Sequence, residues 1–127
     1  MILIDTHVFM WLFASDRTRL PQPVLDRIDS ERPGLSPFVR LELAYLHQVG
    51  RIRYEPTLMV NDLVARIDLE VLDISAASVC RTAESVTWTR DPFDRLLASH
   101  AIVVQAPLLT RDRRLREHLS LAWWSDR

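Results

Sequence analysis

Apolar positions along the chain alternate between short continuous runs and helical spacings. Ile2-Leu3-Ile4 is a continuous apolar run, the pattern of a strand buried on both faces of a parallel sheet. It stops at Asp5-Thr6, where Thr6 is placed to N-cap a helix reaching Phe13. Residues 21–30 predict a second helix with Val24, Leu25 and Ile28 on one face, and residues 34–36 a short strand. Ser36-Pro37 opens a helix to Val49, with proline in the favoured first turn and Gly50 closing it. Pro56 opens a helix to Asp68 whose apolar face carries Val60, Leu63, Val64 and Ile67. Val71-Leu72-Asp73-Ile74 is a third strand candidate, and Ser75 caps a helix to Val86. Asp91-Pro92 starts a helix through Val103, residues 107–110 form a fourth strand, residues 111–119 a helix, and residues 121–124 an edge strand. Strands alternating with helices predict an α/β domain: four to five mostly parallel strands flanked by helices.

Composition narrows the setting. The 127 residues fit a single domain spanning 1–127, and 48% apolar with 26% charged residues exclude wholesale disorder. One cysteine, Cys80, excludes an intrachain disulfide and fits a reducing cytosol. The apolar N-terminal stretch is broken by Asp5 and His7, is shorter than the ~20 residues of a membrane span, and lacks the basic flank of a signal peptide. A cytoplasmic protein without a membrane segment is expected. Net charge is -1, so composition alone does not mark a polyanion binder. All 16 basic residues are Arg, which reads as codon usage more than as selection for bidentate phosphate contacts.

The acids stand in unusual places. Open α/β sheets bind ligands outside the carboxyl ends of their strands. Asp5 ends the first strand, and Thr110 and Asp112 follow the fourth, so both acids project toward one rim. Each also suits a helix N-terminus, the plain structural alternative. Glu42 lies about 60° round its helix from Val39, on the edge of a stripe with Leu43 and Leu46. A carboxylate there needs a partner: an ion pair with Arg40, a hydrogen-bond network, or a metal. In Arg90-Asp91-Pro92-Phe93-Asp94-Arg95-Leu96-Leu97-Ala98, Asp91 fits the cap, whereas Asp94 shares a face with Leu97 and Ala98 and is the better site candidate.

Converging acids need a compensating cation, and oxygen-only ligation suits Mg²⁺ or Mn²⁺ rather than Zn²⁺. His7, His47, His100 and His118 show no ligand spacing. The chemistry most typical of such clusters is metal-assisted phosphodiester hydrolysis. Neither a glycine-rich phosphate loop nor a G-x-S-x-G elbow is present.

Four segments together resemble a PIN domain, specifically the ribonuclease toxins of VapBC-type toxin–antitoxin pairs. They are Ile4-Asp5-Thr6-His7, Ser36 with Glu42-Leu43, Asp91-Pro92-Phe93-Asp94-Arg95-Leu96-Leu97-Ala98, and Leu109-Thr110-Arg111-Asp112. The resemblance covers nearly the whole chain in order, and the Asp91–Ala98 segment is the most specific part. It implies a three-layer sandwich built on a parallel sheet, commonly a homodimer. Asp5, Glu42 and Asp94 would be the core acids and metal ligands, with Asp112 a fourth and Thr110 a supporting hydroxyl. Thr6, Ser36 and Asp91 are further supporting positions. It also implies Mg²⁺- or Mn²⁺-dependent cleavage of structured RNA such as tRNA or rRNA, and a small antitoxin that inhibits the site. His100 stands where relatives often carry Gln or Thr and is read as sheltered packing.

Arg90, Arg95, Arg111, Arg113 and Arg114 are candidate phosphate contacts, set against the alternative of a solvated helix face. Trp11, Trp88, Trp123 and Trp124 offer stacking surfaces, although Trp11 and the C-terminal pair read better as core or interface cover. The face of Val8, Trp11 and Leu12 and the helix from Pro56 are candidate dimer or antitoxin surfaces. Alternatives to the ribonuclease are a non-cleaving module that binds RNA or protein, and a structure-specific DNA nuclease.

Overall fold

The computed structural model describes residues 1–126. Its elements run β1 (Ile2–Ile4), α1 (Thr6–Ala14), α2 (Gln22–Glu31), β2 (Pro33–Leu35), α3 (Pro37–Gln48), α4 (Pro56–Ile67), β3 (Glu70–Val71), α5 (Ala76–Ala83), α6 (Pro92–Val104), β4 (Leu108–Leu109), α7 (Arg113–His118) and β5 (Ala122–Trp123). The five strands lie in the order β3-β2-β1-β4-β5, and every pairing is parallel. The expected mostly parallel sheet is thus entirely parallel among the described residues. Because β1 is central, the apolar run Ile2-Leu3-Ile4 is covered on both faces and is fully buried.

Strand order decides where a ligand can sit. From β1 the chain builds outward to β2 and β3, then crosses over to β4 and β5 on the other side. The order therefore reverses between β1 and β4, the crevice where doubly wound sheets bind ligands. Leu3 pairs with Leu108 and Ile4 with Leu109, so Asp5 and Thr110 leave adjacent strand ends at that reversal.

Several local expectations change. Asp5, not Thr6, is the N-cap of α1: its side chain accepts from Val8 N at 2.8 Å. The third strand is Glu70–Val71 rather than 71–74, because only the segment beside Gly34 and Leu35 finds a parallel partner. The fifth helix stops at Ala83 instead of Val86. Along α4 the structure buries Met59, Val60 and Leu63 and leaves Val64 exposed. Val8 and Leu12 of α1 are core residues and hence supply no partner surface. Helix ends also use few glycines: Ser15, Asp68 and Gln105 take the left-handed conformation at the C-caps of α1, α4 and α6. No helix among the described residues is long and apolar enough to cross a membrane.

Candidate active site

The carboxyl ends of β1, β2 and β4 start helices that each carry an acid or its support. Asp5 follows β1 and is 6% exposed. One of its oxygens caps α1 through Val8 N, and the other accepts the buried hydroxyl of Thr110. The same Thr110 oxygen accepts from the backbone N–H of Asp112 at 3.0 Å. One hydroxyl therefore bridges the two acids of adjacent strand ends. Asp112 in turn caps α7 by accepting from Leu115 N at 2.9 Å. The sequence offered capping and site roles for these acids as alternatives; the geometry lets each carboxylate cap with one oxygen while lining the cleft.

Glu42 arrives from α3, whose N-cap is Ser36. Arg40 is not its partner, since that guanidinium donates to Thr57 Oγ1 at 3.1 Å. Glu42 instead accepts the hydroxyl of Thr6, 36 residues away in the chain. Asp94 arrives from α6, whose N-cap is Asp91, accepting from Phe93 N at 2.9 Å and Asp94 N at 3.2 Å.

These side chains meet in one cleft of about 220 Å³, lined by Asp5, Thr6, His7, Glu42, Asp91, Asp94, Leu97, Asp112 and Leu115. Five carboxylates face one histidine, and among the described residues no arginine lines the cleft. Burial pushes the Asp94 carboxyl up to about 7, and the charges of Asp91, Asp112, Glu42 and Asp5 add to that rise. Burial also raises Asp5, against the lowering effect of its hydrogen bonds to Thr110 and Val8. Glu42 is raised by burial too, partly offset by the Thr6 hydroxyl. Among the described residues the cleft therefore gathers many more acidic than basic side chains, and their crowding favours the protonated form.

All-oxygen donors of this kind fit a hard divalent cation. Among the described residues, no group of three His, Cys, Asp or Glu side chains is arranged to ligate one ion as it stands. Glu42 and Asp112 each keep one carboxylate oxygen outside the hydrogen bonds above.

The arginines separate into two groups. Arg95 donates to the Ala83 carbonyl at 3.0 Å and lines a different cavity with Cys80 and Pro92, so it does not face the acids. Arg113 pairs with Glu117 at 3.0 Å on the exposed side of α7. Arg90, Arg111 and Arg114 are exposed, and their guanidinium groups have no partner among the described residues. Two placements were not legible beforehand: the Thr6–Glu42 bond and the two-sided use of Thr110. They join residues 36 and 105 positions apart, and no local pattern marks such a pairing.

His100 is 1% exposed, bonds Ser36 Oγ through Nδ1 at 2.8 Å, and meets Phe38 edge-on. Trp88 stacks on His118 at 5.0 Å, and Trp123 lies under the guanidinium of Arg27 at 4.6 Å.

A family model described as PIN domain matches residues 2–118. No curated protein matches the sequence. Among solved structures, the chain is similar to one in VapBC2 from Rickettsia felis bound to a DNA fragment from their promoter. That match has a TM-score of 0.67 and 20% identity and covers 96% of each chain. A chain of the VapBC-1 structure from nontypeable Haemophilus influenzae matches with TM-score 0.66 and 18% identity, covering 99% of this chain and 98% of that one. A chain of DNA-bound VapBC from Salmonella typhimurium gives 0.64 and 19%, covering 94% and 93%. At these identities the likeness is one of fold.

Proposed function

This chain belongs to the PIN-domain family, and from that premise we propose that it is a metal-dependent endoribonuclease, the toxin of a VapBC-like toxin–antitoxin pair. The observation that carries the reading is the cleft at the β1–β4 reversal, where five carboxylates meet without an arginine among the described residues. A binding-only module has no use for so much uncompensated charge, and RNA would be repelled by it unless cations occupy the cleft.

Asp5, Glu42, Asp94 and Asp112 would hold Mg²⁺ or Mn²⁺, one or two ions per site. Bound there, such ions lower the pKa of the attacking water and stabilise the leaving oxygen. The chain's own part is to place the donors. Thr110 fixes Asp5 and the backbone of Asp112 relative to each other, Thr6 fixes Glu42, and Asp91 caps the helix that presents Asp94. Leu97 and Leu115 are the apolar part of the cleft lining. Arg90, Arg111 and Arg114 are the cations placed to meet phosphates outside the acids.

The neighbouring structures are of VapBC, and an antitoxin partner for this chain is proposed on that likeness. Leu41, Tyr45, Leu58 and Val64 on α3 and α4 are exposed apolar side chains that an antitoxin or a second copy in a homodimer would cover. A cytoplasmic setting accords with an RNA substrate.

The test is cleavage of total cellular RNA by the purified chain, freed of antitoxin, with Mn²⁺ or Mg²⁺, with chelator, and as Asp94→Asn. Discrete fragments that need both metal and Asp94 are expected. RNA bound but uncut would favour the non-cleaving module, and cutting of structured DNA alone would favour the DNA nuclease.

A further inference from the structure

A second cavity, of about 300 Å³, adjoins the acidic cleft and shares Asp5, His7 and Asp112 with it. Its other walls are Trp11 and Arg111. We propose that this cavity is a nucleobase subsite. Trp11 stacks on the base next to the scissile phosphate, and Arg111 contacts a phosphate beside it. The proposal rests on the ribonuclease reading above and adds to it a place for one base of an unpaired strand.

The volume is at the small end of ligand pockets, suited to a flat ring more than to a folded peptide. Trp11 is only half-buried, so part of the indole remains open, yet its position is fixed by its neighbours. Trp124 meets it edge-on at 6.0 Å, the Arg19 guanidinium lies 5.8 Å from its centroid, and His7 packs one helical turn away at 6.1 Å. A preset aromatic surface loses little rotamer freedom when a base stacks on it.

Charge selects among occupants. A cationic side chain from a protein would find the aromatic wall attractive, but it would meet Arg111, whose guanidinium has no partner among the described residues. On the ribonuclease reading Asp5 and Asp112 face the cation of the acidic cleft, which leaves Trp11 and Arg111 as the walls that meet a ligand. A nucleotide satisfies the aromatic and the cationic wall together: its base meets Trp11 and its phosphate meets Arg111. A base can reach the indole only if it is unstacked from its neighbours, so the strand at the cleft must be unpaired.

The experiment compares two labelled five-nucleotide oligouridylates, one intact and one lacking its central base. Both are titrated by fluorescence anisotropy against the full-length Asp94→Asn chain in Mg²⁺, which leaves the probe uncut. Loss of the base is expected to weaken binding about tenfold, within the range for base–aromatic stacking. In the same background, Trp11→Leu should bind both probes alike, while Trp11→Phe should keep most of the difference. Equal affinity of the Trp11-containing chain for both probes would overturn the subsite while leaving the ribonuclease reading intact, and this comparison does not depend on any Trp11 variant folding. A difference that survives in a folded Trp11→Leu chain would also overturn it, because the base would then be read away from Trp11. Failure to bind either probe, with no cleavage of total RNA by the unmutated chain, would overturn the ribonuclease reading and the subsite with it.

Discussion

Ser36 Oγ lies 2.8 Å from His100 Nδ1, and both residues are fully enclosed. Ser36 starts α3, the helix of Glu42, and His100 belongs to α6, the helix of Asp94. A single buried hydrogen bond thus ties together the two helices that bring these acids to the cleft. Burial holds the His100 imidazole below its ordinary pKa, so the pair is neutral near pH 7. His100→Leu leaves the Ser36 hydroxyl without this partner and should cost about 1–3 kcal/mol in denaturant unfolding. His100→Gln, which can still reach the hydroxyl, should recover most of that loss. Mn²⁺ titrations should show weaker binding in the Leu variant and near-normal binding in the Gln variant.

The raised carboxyl of Asp94 makes a signed prediction about pH. The fold holds this proton more tightly than the unfolded chain does, so the associated stability is present below the unfolded value of 3.8 and is lost as pH rises through about 7. The metal-free chain should therefore melt at progressively lower temperature from about pH 4 to about pH 7. Divalent metal should reverse much of the loss by binding the native state.

Asp94→Asn removes one uncompensated charge with little change of shape. In the metal-free chain above about pH 7 it should raise the melting temperature by about 2–4 °C and flatten the pH profile. Cleavage should fall more than about 100-fold, because even partners of metal ligands are worth about 10–100-fold. An unfolded variant would instead make Asp94 structural.

Thr110 joins Asp5 to the backbone of Asp112 through one buried hydroxyl. Thr110→Val keeps the shape and removes both bonds, leaving a buried Asp5 oxygen without its donor. A loss of about 1–3 kcal/mol is expected, together with weaker Mn²⁺ binding. Thr110→Ser should restore both, which calorimetry and denaturant titration would measure.

The partners of the arginines sort their expected roles in RNA binding. Arg111 and Arg114 are unpaired among the described residues, whereas Arg113 is paired with Glu117. For single strands each phosphate contact contributes about 0.7 to the slope of log affinity against log salt. Arg111→Ala/Arg114→Ala should reduce that slope by about 1.4. Arg113→Ala should change it little, and equal changes in both would show that the Glu117 pair does not hold Arg113 back.

Much of this fold was legible because its signals are local. The run Ile2-Leu3-Ile4 is apolar without alternation, which only a strand covered on both faces requires, and the structure buries it completely. Pro37 and Pro92 sit in first turns behind Ser36 and Asp91, and those helices start where the caps place them. Other boundaries were not legible. Residues 71–74 look like a strand by composition, but a strand exists only where a neighbour accepts its hydrogen bonds, and β2 reaches no farther than Leu35. Helix ends at Ser15, Asp68 and Gln105 carry no glycine to announce them.

The site divides in the same way. Spacing along the sequence determined that Asp5, Glu42, Asp94 and Asp112 stand at strand ends and helix faces, because a helix or strand repeats its geometry every few residues. Which distant side chains each carboxylate touches was decided by tertiary structure. The Thr6–Glu42 and Thr110–Asp5 bonds join distant segments, Arg95 turns to the Ala83 carbonyl, and Trp11 and Arg111 come to share a cavity. Those contacts depend on the order in which five parallel strands assemble, and strand order is a property of the whole packed sheet, not of any segment in it.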